Sequence, residues 1–303
     1  MRSFNDLINK VYQGNSINFG ECQNLSLGIT KLIKRDMIEG TQFKSNFLKG
    51  FKNYRFNASI LNILNIKTKL NSQIQSLESQ GYKKIFSDSL KTQSRLIVGL
   101  GSGHVLETSI TLHHIYGIPY IPASSLKGVC RMVSFWKIAK TKNILNNEKE
   151  LERLQKEFYG ELSSDKEILK YQLLFGAQNF KGLLLFLDAY PDLQDNQQIF
   201  DLDIMNVHYQ SYYSDDSGNT SPGDWENPVP IVFLTVKEGI KFKFNVFFDA
   251  YRAKEILKMK EDSKKIILDE AKDLKEEIKD LLEKALKEFG VGAKTRLGYG
   301  LFE

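Results

Sequence analysis

The stretch IVFLTVKEGIKFKFNVFF, residues 231–248, contains the clearest strand pattern in the chain. Two runs rich in β-branched and aromatic residues flank Glu238 and Gly239. Two such runs around a short turn that contains glycine predict a pair of strands joined as an antiparallel hairpin. The sequence therefore indicates a β-sheet. The segments on either side predict which further strands and helices accompany it.

Further strands and helices are predicted outward from this hairpin. Residues 182–191 form a short, almost wholly apolar run that predicts a buried strand, and residues 96–98 predict another. Apolar residues at helical spacing predict a helix that starts at Ser124 or Ser125 as N-cap, and a long amphipathic helix over residues 251–289. The final residues read as a glycine loop followed by a short strand.

The order of these elements is strand, helix, strand, strand, helix, strand once insertions are set aside. This βαββαβ order is typical of α+β proteins with a ferredoxin-like or RRM-like core. We expect that core over residues 95–303, with a charged helical insertion at residues 141–178 and a long, thumb-like loop at residues 192–230. Residues 1–94 are expected to form a mostly helical extension packed on the core, since residues 56–80 repeat apolar residues every three or four positions.

The composition is that of an ordinary globular protein of 303 residues, with 42% hydrophobic and 26% charged residues. It excludes wholesale disorder and collagen-like repetition. The two cysteines, Cys22 and Cys130, are too few for a disulfide scaffold. Because the sequence shows no apolar signal region and no run of about 18 apolar residues, we expect a soluble protein of the cytoplasm.

The charge is unevenly distributed along the chain, although the net charge is a modest +5. Residues 1–140 hold 19 Lys or Arg against 7 Asp or Glu, whereas the remaining residues hold 23 against 30. Such asymmetry favours an extended anionic partner such as a nucleic acid. A lysine-rich genome would produce the same bias, and charge alone does not separate the two interpretations.

The segment GVGAKTRLG, residues 290–298, is the first candidate binding site. Glycine lets the backbone approach a phosphodiester closely, and the two cations supply countercharge. A phosphate loop of the NTPase type is excluded, because Ala293 stands where that motif needs glycine. A helix C-cap would explain Gly290 alone. The predicted RNA-binding residues of this segment are Gly290, Gly292, Lys294, Thr295, Arg296 and Gly298.

The predicted helix start is the second candidate site. Ser124 and Ser125 offer amide and hydroxyl groups at a helix N-terminus, and Lys127 adds a cation, which together suit a phosphate. Arg131, one turn into the helix, is predicted to bind RNA as well. Ordinary N-capping beside a solvated lysine explains the same residues.

Several segments together resemble the RAMP superfamily of CRISPR proteins. The GxGxxxxxG spacing between the last helix and the last strand is similar to that superfamily's signature. IPASSLKGVCR, residues 121–131, is similar to its Pro-Gly-Ser-Ser-Leu-Lys-Gly helix start, except that Ala123 replaces a glycine. Within the superfamily, four segments together resemble the sixth RAMP subunit type of the Cmr, or type III-B, effectors: residues 99–122, 175–191, 208–213 and 224–234.

This resemblance implies a noncatalytic subunit that binds guide RNA (crRNA). Such a subunit caps the row of RAMP subunits at the 3′ part of the guide and helps to form the channel for the target RNA in antiviral defence. The implied partners are the crRNA, the target RNA and the other RAMP subunits, both backbone and small, without a membrane. No cofactor and no metal ion are expected.

The resemblance implies that the polar loop at residues 192–230 contacts a partner. We expect His208–Trp225, called the thumb below, to project and touch an RNA duplex or an adjacent subunit. His208, Tyr212 and Tyr213 are the predicted contact residues, because aromatic rings stack on bases and anchor protein interfaces. Alternatively the loop folds back, with Trp225 pinned against the strand that follows.

A guide-processing endoribonuclease and a protein-only assembly scaffold remain alternatives. His104 follows a glycine loop, near a place where RAMP-fold endonucleases can carry a catalytic histidine. A lone histidine is more often structural. His113, His114 and His208 are the other histidines, and no His-x-His or Glu-x-x-His spacing suggests a metal site. We therefore expect no catalytic residue and no metal ligand.

Overall fold

The computed structural model describes residues 12–13, 16–17, 24–33, 41–104, 106–259 and 271–303. It is a mixed α+β structure in which the chain divides into two compact units, each assembled from three separate stretches. Unit 1 comprises Met1–Leu64, Arg95–Pro119 and Leu193–Lys237, and unit 2 comprises Asn65–Ser94, Tyr120–Asp192 and Glu238–Glu303.

The helices of the described residues are α1 (Leu25–Thr30), α2 (Thr41–Asn53), α3 (Ala58–Leu64), α4 (Ile66–Ser79), α5 (Ala123–Thr141), α6 (Glu148–Tyr159), α7 (Lys166–Phe175), α8 (Gln210–Tyr213), α9 (Ala250–Met259) and α10 (Ala271–Lys284). A π-helical turn, Ala285–Phe289, continues α10, and a 3-10 turn, Thr295–Leu297, follows it. The strands are β1 (Tyr12–Gln13), β2 (Ser16–Ile17), β3 (Tyr82–Lys91), β4 (Leu184–Phe186), β5 (Tyr190–Pro191), β6 (Phe200–Val207), β7 (Val229–Val236) and β8 (Lys241–Asp249).

Strand β8 is the central strand of the sheet in unit 2. It pairs antiparallel with β3 along one edge and with β4 and β5 along the other. The last residues add to the far edge of β3, where Lys91 and Glu303 exchange backbone hydrogen bonds of 3.0 and 2.8 Å. The order across the sheet is therefore residues 301–303, β3, β8 and β4.

The predicted hairpin at residues 231–248 is wrong in its pairing, although both strands exist. Strand β7 pairs over its whole length with β6 in unit 1, whereas β8 belongs to unit 2. The turn between them is held by Thr92, which accepts hydrogen bonds from the backbone N–H groups of Gly239 (2.7 Å) and Ile240 (3.0 Å). Because β8 is largely buried, its backbone N–H and C=O groups need hydrogen-bond partners on both edges, and β3 and β4 supply them.

The first strand of the sheet was also predicted in the wrong place. Residues 96–98 contribute a single bridge, between Leu96 and Val236, whereas residues 82–91 form the ten-residue strand β3. Most side chains of β3 are exposed, Phe86 being its buried residue, so the stretch lacks the apolar alternation that marks a strand. Part of the stretch assigned to a helical extension, residues 1–94, therefore belongs to the core sheet.

Several other predicted elements are present. The helix expected over residues 56–80 is split into α3 and α4 at Asn65, which has a φ of +43°, and the insertion at residues 141–178 contains α6 and α7. Of the helix predicted over residues 251–289, residues 260–270 lie outside the described residues. The loop predicted at residues 192–230 is wrong in part, because β6 occupies eight of its residues.

Within the described residues, no helix combines the length and the apolar character needed to cross a membrane. The core combines aliphatic side chains of the helices with aromatic side chains of the sheet. In unit 2, Phe242 and Phe244 of β8 meet Phe302 edge to face, at centroid distances of 5.9 and 5.3 Å.

A half-buried carboxylate joins three helices of unit 2. Glu277 of α10 accepts hydrogen bonds from Lys137 of α5 (3.2 Å) and Tyr171 of α7 (2.6 Å), and forms an ion pair with Lys170. Burial alone would raise the pKa of Glu277, but the hydrogen bonds from Lys170 and Tyr171 and the charge of Lys137 hold it below its ordinary value. The ionised form is therefore the one that the fold stabilises.

We predict that Glu277→Gln lowers the free energy of unfolding by about 1–3 kcal/mol at neutral pH, measured by urea denaturation. Because the folded pKa is depressed, the stabilisation is present above the pKa of an unfolded glutamate and is lost as the pH falls through the folded value. The variant and the wild type should therefore converge in acid. Glu276→Gln on the exposed side of α10 is the matched control. Equal stability of the two variants at neutral pH would contradict this role.

Candidate nucleic-acid interface

The start of α5 is capped by a residue that is distant in sequence. The helix begins at Ala123 with Pro122 at the N-cap position, so the prediction of a serine N-cap is wrong, and Ser124 and Ser125 lie in the first turn. The Ala123 N–H donates to Asp188 Oδ1 at 2.7 Å. A carboxylate there complements the helix dipole, and it also removes one amide from the set that a phosphate could use.

Three cations lie close together beside this helix start, and we call Lys127, Arg131 and Lys181 the helix-start cluster. The pKa of Lys127 is lowered by burial and by the neighbouring charges of Arg131 and Lys181. Three like charges placed together beside the carboxylate of Asp188 create a net positive potential that favours an anionic ligand. The structure thus adds Lys181 to the two cations predicted from the sequence.

Arg131 is fixed by the protein. Its Nη2 donates to the carbonyl oxygens of Gly176 (3.0 Å) and Phe158 (3.3 Å), and the guanidinium lies 4.3 Å from the centroid of the Tyr159 ring. Carbonyl oxygens and an aromatic face leave the positive charge of a guanidinium uncancelled. Arg131 therefore holds the loop after α7 while its charge contributes to the helix-start cluster.

The loop that carries Lys181 is closely packed and held by a second arginine. A Cβ on Gly182 would lie 2.5 Å from the carbonyl oxygen of Leu174, so only glycine fits there. Arg252 Nη2 donates to the carbonyl oxygen of Lys181 at 2.9 Å, and Nη1 donates to that of Gly182 at 3.3 Å. Sequence reasoning missed Lys181 and Arg252 as members of this site, since each is remote from the helix start in sequence.

The C-terminal glycine loop, residues 290–298, closes on itself. Val291 is buried and its N–H donates to the carbonyl oxygen of Gly300 at 3.0 Å. Gly290 has a φ of +75°, and a Cβ there would lie 2.8 Å from the carbonyl oxygen of Tyr299. Gly290 is thus required by the loop closure itself.

The remaining predicted residues of this loop are more open. Lys294 adopts the left-handed conformation with a φ of +58° and precedes the 3-10 turn that carries Thr295 and Arg296. Arg296 and Gly292 are exposed, whereas Lys294 and Thr295 are half-buried. The loop therefore places one exposed guanidinium on a backbone of fixed shape.

The thumb connects β6 and β7 in unit 1, and its base is held by hydrogen bonds. Tyr209 Oη donates to Asp224 Oδ1 at 3.1 Å, and the Ser211 N–H donates to Glu226 Oε2 at 3.0 Å. The bond from Tyr209, together with the charge of Asp224, raises the pKa of the Tyr209 phenol.

The aromatic rings of the thumb are open to solvent. The exposed fractions are 46% for Tyr212, 73% for Tyr213 and 82% for Trp225, and His208 is exposed as well. The Trp225 ring lies against Gly223, where a Cβ would come within 2.3 Å of it. The alternative in which Trp225 folds back onto the following strand is therefore wrong.

The histidines considered for catalysis accept local hydrogen bonds. His104 Nδ1 accepts from the Leu106 N–H at 3.1 Å, and burial lowers the pKa of the His104 ring. His113 Nδ1 accepts from the Ile115 N–H at 3.2 Å, and its ring stacks on that of His114. In the part of the chain that the structure describes, no cluster of His, Cys, Asp or Glu could hold a metal ion.

Comparison with known proteins gives the family of this chain. The profile of the RAMP superfamily matches residues 89–303. This chain belongs to the RAMP superfamily. The match includes both the helix start at α5 and the C-terminal glycine loop.

Two relatives narrow the similarity within the RAMP proteins. The Cmr subunit Cmr6 of the CRISPR system of Pyrococcus furiosus is 39% identical over 242 residues, covering 69% of this chain and 65% of the relative. The CMR subunit Cmr6 of Saccharolobus solfataricus is 24% identical over 217 residues, covering 71% of this chain and 56% of the relative. The chain thus spans less than two thirds of the length of either relative.

A solved structure has a similar fold. A chain in the cryo-EM structure of the type III-B Cmr-beta complex bound to cognate target RNA superposes with a TM-score of 0.56. The match covers 86% of this chain and 71% of that one, at 21% identity. At this level of identity the similarity concerns the fold.

The RAMP residues predicted from the sequence are divided between the two units. The helix-start residues Ser124, Ser125, Lys127 and Arg131 and the C-terminal glycine loop belong to unit 2, whereas His208, Tyr212 and Tyr213 belong to unit 1. Within unit 2 the structure brings Lys127 and Arg131 together with Lys181. Their role in binding RNA stays a prediction.

We predict that two glycines of the C-terminal loop differ in their tolerance of a side chain. Gly290 and Gly298 have similar φ values, +75° and +87°, but only Gly290 faces a carbonyl oxygen within 3 Å, since nothing lies within 4 Å of a Cβ on Gly298. Gly298→Ala should cost about 1–2 kcal/mol for conformation alone. Gly290→Ala should cost about 2–5 kcal/mol, because its ψ of 167° lies in a region that only glycine populates and overpacking is added. Equal shifts of the thermal midpoint would contradict the close approach.

Proposed function

We propose that this chain is a noncatalytic subunit of a type III-B CRISPR ribonucleoprotein that binds guide RNA in the cytoplasm. In this proposal it caps the row of RAMP subunits at the 3′ part of the crRNA and helps to form the channel in which the target RNA pairs. Its partners are the crRNA, the target RNA and the other RAMP subunits of a Cmr complex. The observation that carries the proposal is the 39% identity to the Cmr6 subunit over 242 residues.

We also infer that unit 2 has the ferredoxin-like βαββαβ core. Its four members in chain order are β3, β4, β8 and residues 301–303, with α5 after the first and α10 after the third. Across the sheet the order is residues 301–303, β3, β8 and β4, that is, fourth, first, third and second in the chain. Each strand is antiparallel to its neighbours. This arrangement supports the same core that the sequence suggested, with β3 as its first strand.

Fixed positive charge supports the binding of RNA by unit 2. The helix-start cluster keeps three cations close together, and the C-terminal glycine loop exposes Arg296. Contacts of this kind bind phosphates irrespective of base sequence. A subunit that carries guides of many sequences needs contacts of that type.

The thumb supports a contact with RNA or with a neighbouring subunit. Tyr212 and Tyr213 expose their rings without filling the core of unit 1, and their ring planes lie at 70° to each other. Exposed rings on a hydrogen-bonded base are suited to stacking on bases or anchoring a partner.

The environment of His104 favours a noncatalytic role. Its Nδ1 accepts a hydrogen bond from the Leu106 N–H, so this nitrogen is occupied within its own loop. A general acid or base would need a nitrogen within reach of the substrate. The observed contacts explain His104 as a residue that shapes its own loop.

We predict that replacing Lys294 and Arg296 by Ala weakens the binding of unrelated single-stranded RNAs to a similar degree. If both contact phosphates, the slope of log affinity against log salt should flatten by about 1.4, or about 0.7 for each contact. Filter binding at several salt concentrations measures both quantities. The matched control is Lys149→Ala with Arg153→Ala on α6, which removes the same charge from another exposed site of unit 2.

An unchanged slope in the Lys294/Arg296 variant would remove the C-terminal glycine loop from the RNA site. The same samples test the alternative functions. Cleavage of the RNA that disappears in His104→Ala would favour the endonuclease, and no binding by the wild-type chain or its complex would favour the scaffold.

We predict that replacing Tyr212 and Tyr213 by Ala leaves the thermal midpoint nearly unchanged, because both rings are exposed. The variant should weaken assembly of the complex or protection of the guide RNA from nuclease. Phe at both positions, which keeps the rings, should retain most of the wild-type behaviour. A large fall in the thermal midpoint with normal assembly would show that the rings serve the fold of unit 1.

A further inference from the structure

The sheet of unit 2 has a second face that α4 covers only in part. Phe247 of β8 packs with Leu70 and Ile74 of α4 on this face. Because side chains alternate along a strand, Lys243 and Lys241 project from the same face as Phe247. Lys241 is exposed and Lys243 is half-buried. The end of the face at Phe247 is therefore apolar and covered by α4, whereas the end at Lys241 carries positive charge.

A pocket of ≈ 190 Å³ lies where α4 meets this face. We call it the sheet-face pocket, and its lining includes Leu70 and Ile74 of α4, Ser89 of β3, Tyr190 of β5 and Lys243 of β8. A cavity of about 150 Å³ is large enough for benzene. The sheet-face pocket can therefore hold one planar ring, and it is smaller than the usual site of a drug-sized ligand.

The register places an aromatic ring and a cation in one row across the sheet. Tyr190 and Ser89 both pair with Lys243, from its two sides. Side chains that are directly opposite in an antiparallel pair share a face and lie in contact distance. A ring in the sheet-face pocket thus has the Tyr190 ring, the Ser89 hydroxyl and the Lys243 amine beside it.

The next row of the same face adds more positive charge. Lys91 and Lys241 are register partners, and like charges directly opposite each other are unfavourable unless an anion is shared. At the rim, Lys67 forms an ion pair of 2.7 Å with Asp192, which neutralises the acid of the pocket lining. Glu303, which exchanges backbone hydrogen bonds with Lys91, brings a second acid to this row. The four lysines still outnumber the two acids, so the surroundings are net cationic and suit a ligand that combines a planar ring with phosphates.

We propose that the sheet-face pocket binds one base of a single-stranded RNA. The base stacks on Tyr190, and the adjoining phosphates lie on Lys243, Lys241 and Lys91. This inference rests on the proposed RNA-binding function and extends it to a site that neither the helix-start cluster nor the C-terminal glycine loop provides. An acidic peptide would use the same lysines but would leave the ring-sized pocket without a function.

The first test locates the base. The full-length chain is mixed with an oligouridine that contains one 4-thiouridine, irradiated in the near ultraviolet, digested and analysed by mass spectrometry. We expect a crosslinked peptide that contains Tyr190. Crosslinks confined to the C-terminal glycine loop or the thumb would overturn the pocket while supporting the proposed function. No binding of RNA by the wild-type chain would overturn both.

The second test measures what the pocket contributes. Tyr190→Ala should raise the Kd for oligouridine by about 5- to 150-fold, the range expected for one base stacked on a ring, whereas Tyr190→Phe should stay close to wild type. Lys243→Ala should flatten the salt slope by about 0.7, and the exposed Lys149→Ala on α6 should not.

An abasic nucleotide distinguishes binding from folding, because Tyr190 also stacks on Tyr120 at 6.0 Å and its loss could weaken the fold. An abasic site at the crosslinked position should weaken binding to the wild-type chain and to Tyr190→Phe by the same factor. It should have little effect on Tyr190→Ala. Equal losses in all three proteins would show that the base does not occupy the sheet-face pocket.

Discussion

Hydrogen bonding along both edges of β8 fixes the arrangement of unit 2. Most of the strand is buried, so its backbone N–H and C=O groups need hydrogen-bond partners along both edges and its buried side chains need packing on both faces. One face packs Phe242 and Phe244 on Phe302, and the other packs Phe247 on α4. The order of the sheet, the place of the closing segment and the partly open end of the second face all follow from this requirement.

Two arginines of unit 2 are held by groups that do not neutralise them. Arg131 and Arg252 donate to backbone carbonyls of the loop between α7 and β4, and that loop carries Lys181. A carbonyl oxygen orients a guanidinium without cancelling its charge, whereas a carboxylate would do both. Glu277 illustrates the other use of charge, since its carboxylate pairs with Lys137 and Lys170, accepts a hydrogen bond from Tyr171 and so joins three helices.

The sequence predicts which segments form helices and strands better than it predicts which segments pair with or cap one another. The two strands around Gly239 are evident from their residues, but their pairing partners are not, because β7 pairs with β6 and β8 pairs with β3, which is far away in sequence. Strand β3 was not predicted, because most of its side chains are exposed and it lacks the apolar alternation of a strand. Likewise Ser124 has the chemistry of an N-cap, yet Asp188 supplies the cap from 65 residues away. The C-terminal glycine loop was predictable because its contacts are local.

The threading of the chain through the two units has a consequence for synthesis. The backbone passes from one unit to the other at residues 64–65, 94–95, 119–120, 192–193 and 237–238. Ser87 and Asn245, hydrogen-bonded neighbours in the sheet, are 158 residues apart. On a ribosome, β3 would emerge long before β8 exists to pair with it, and pairings of such separation form slowly. Neither unit can be obtained by trimming the gene at one point, because each contains three separate stretches of the chain.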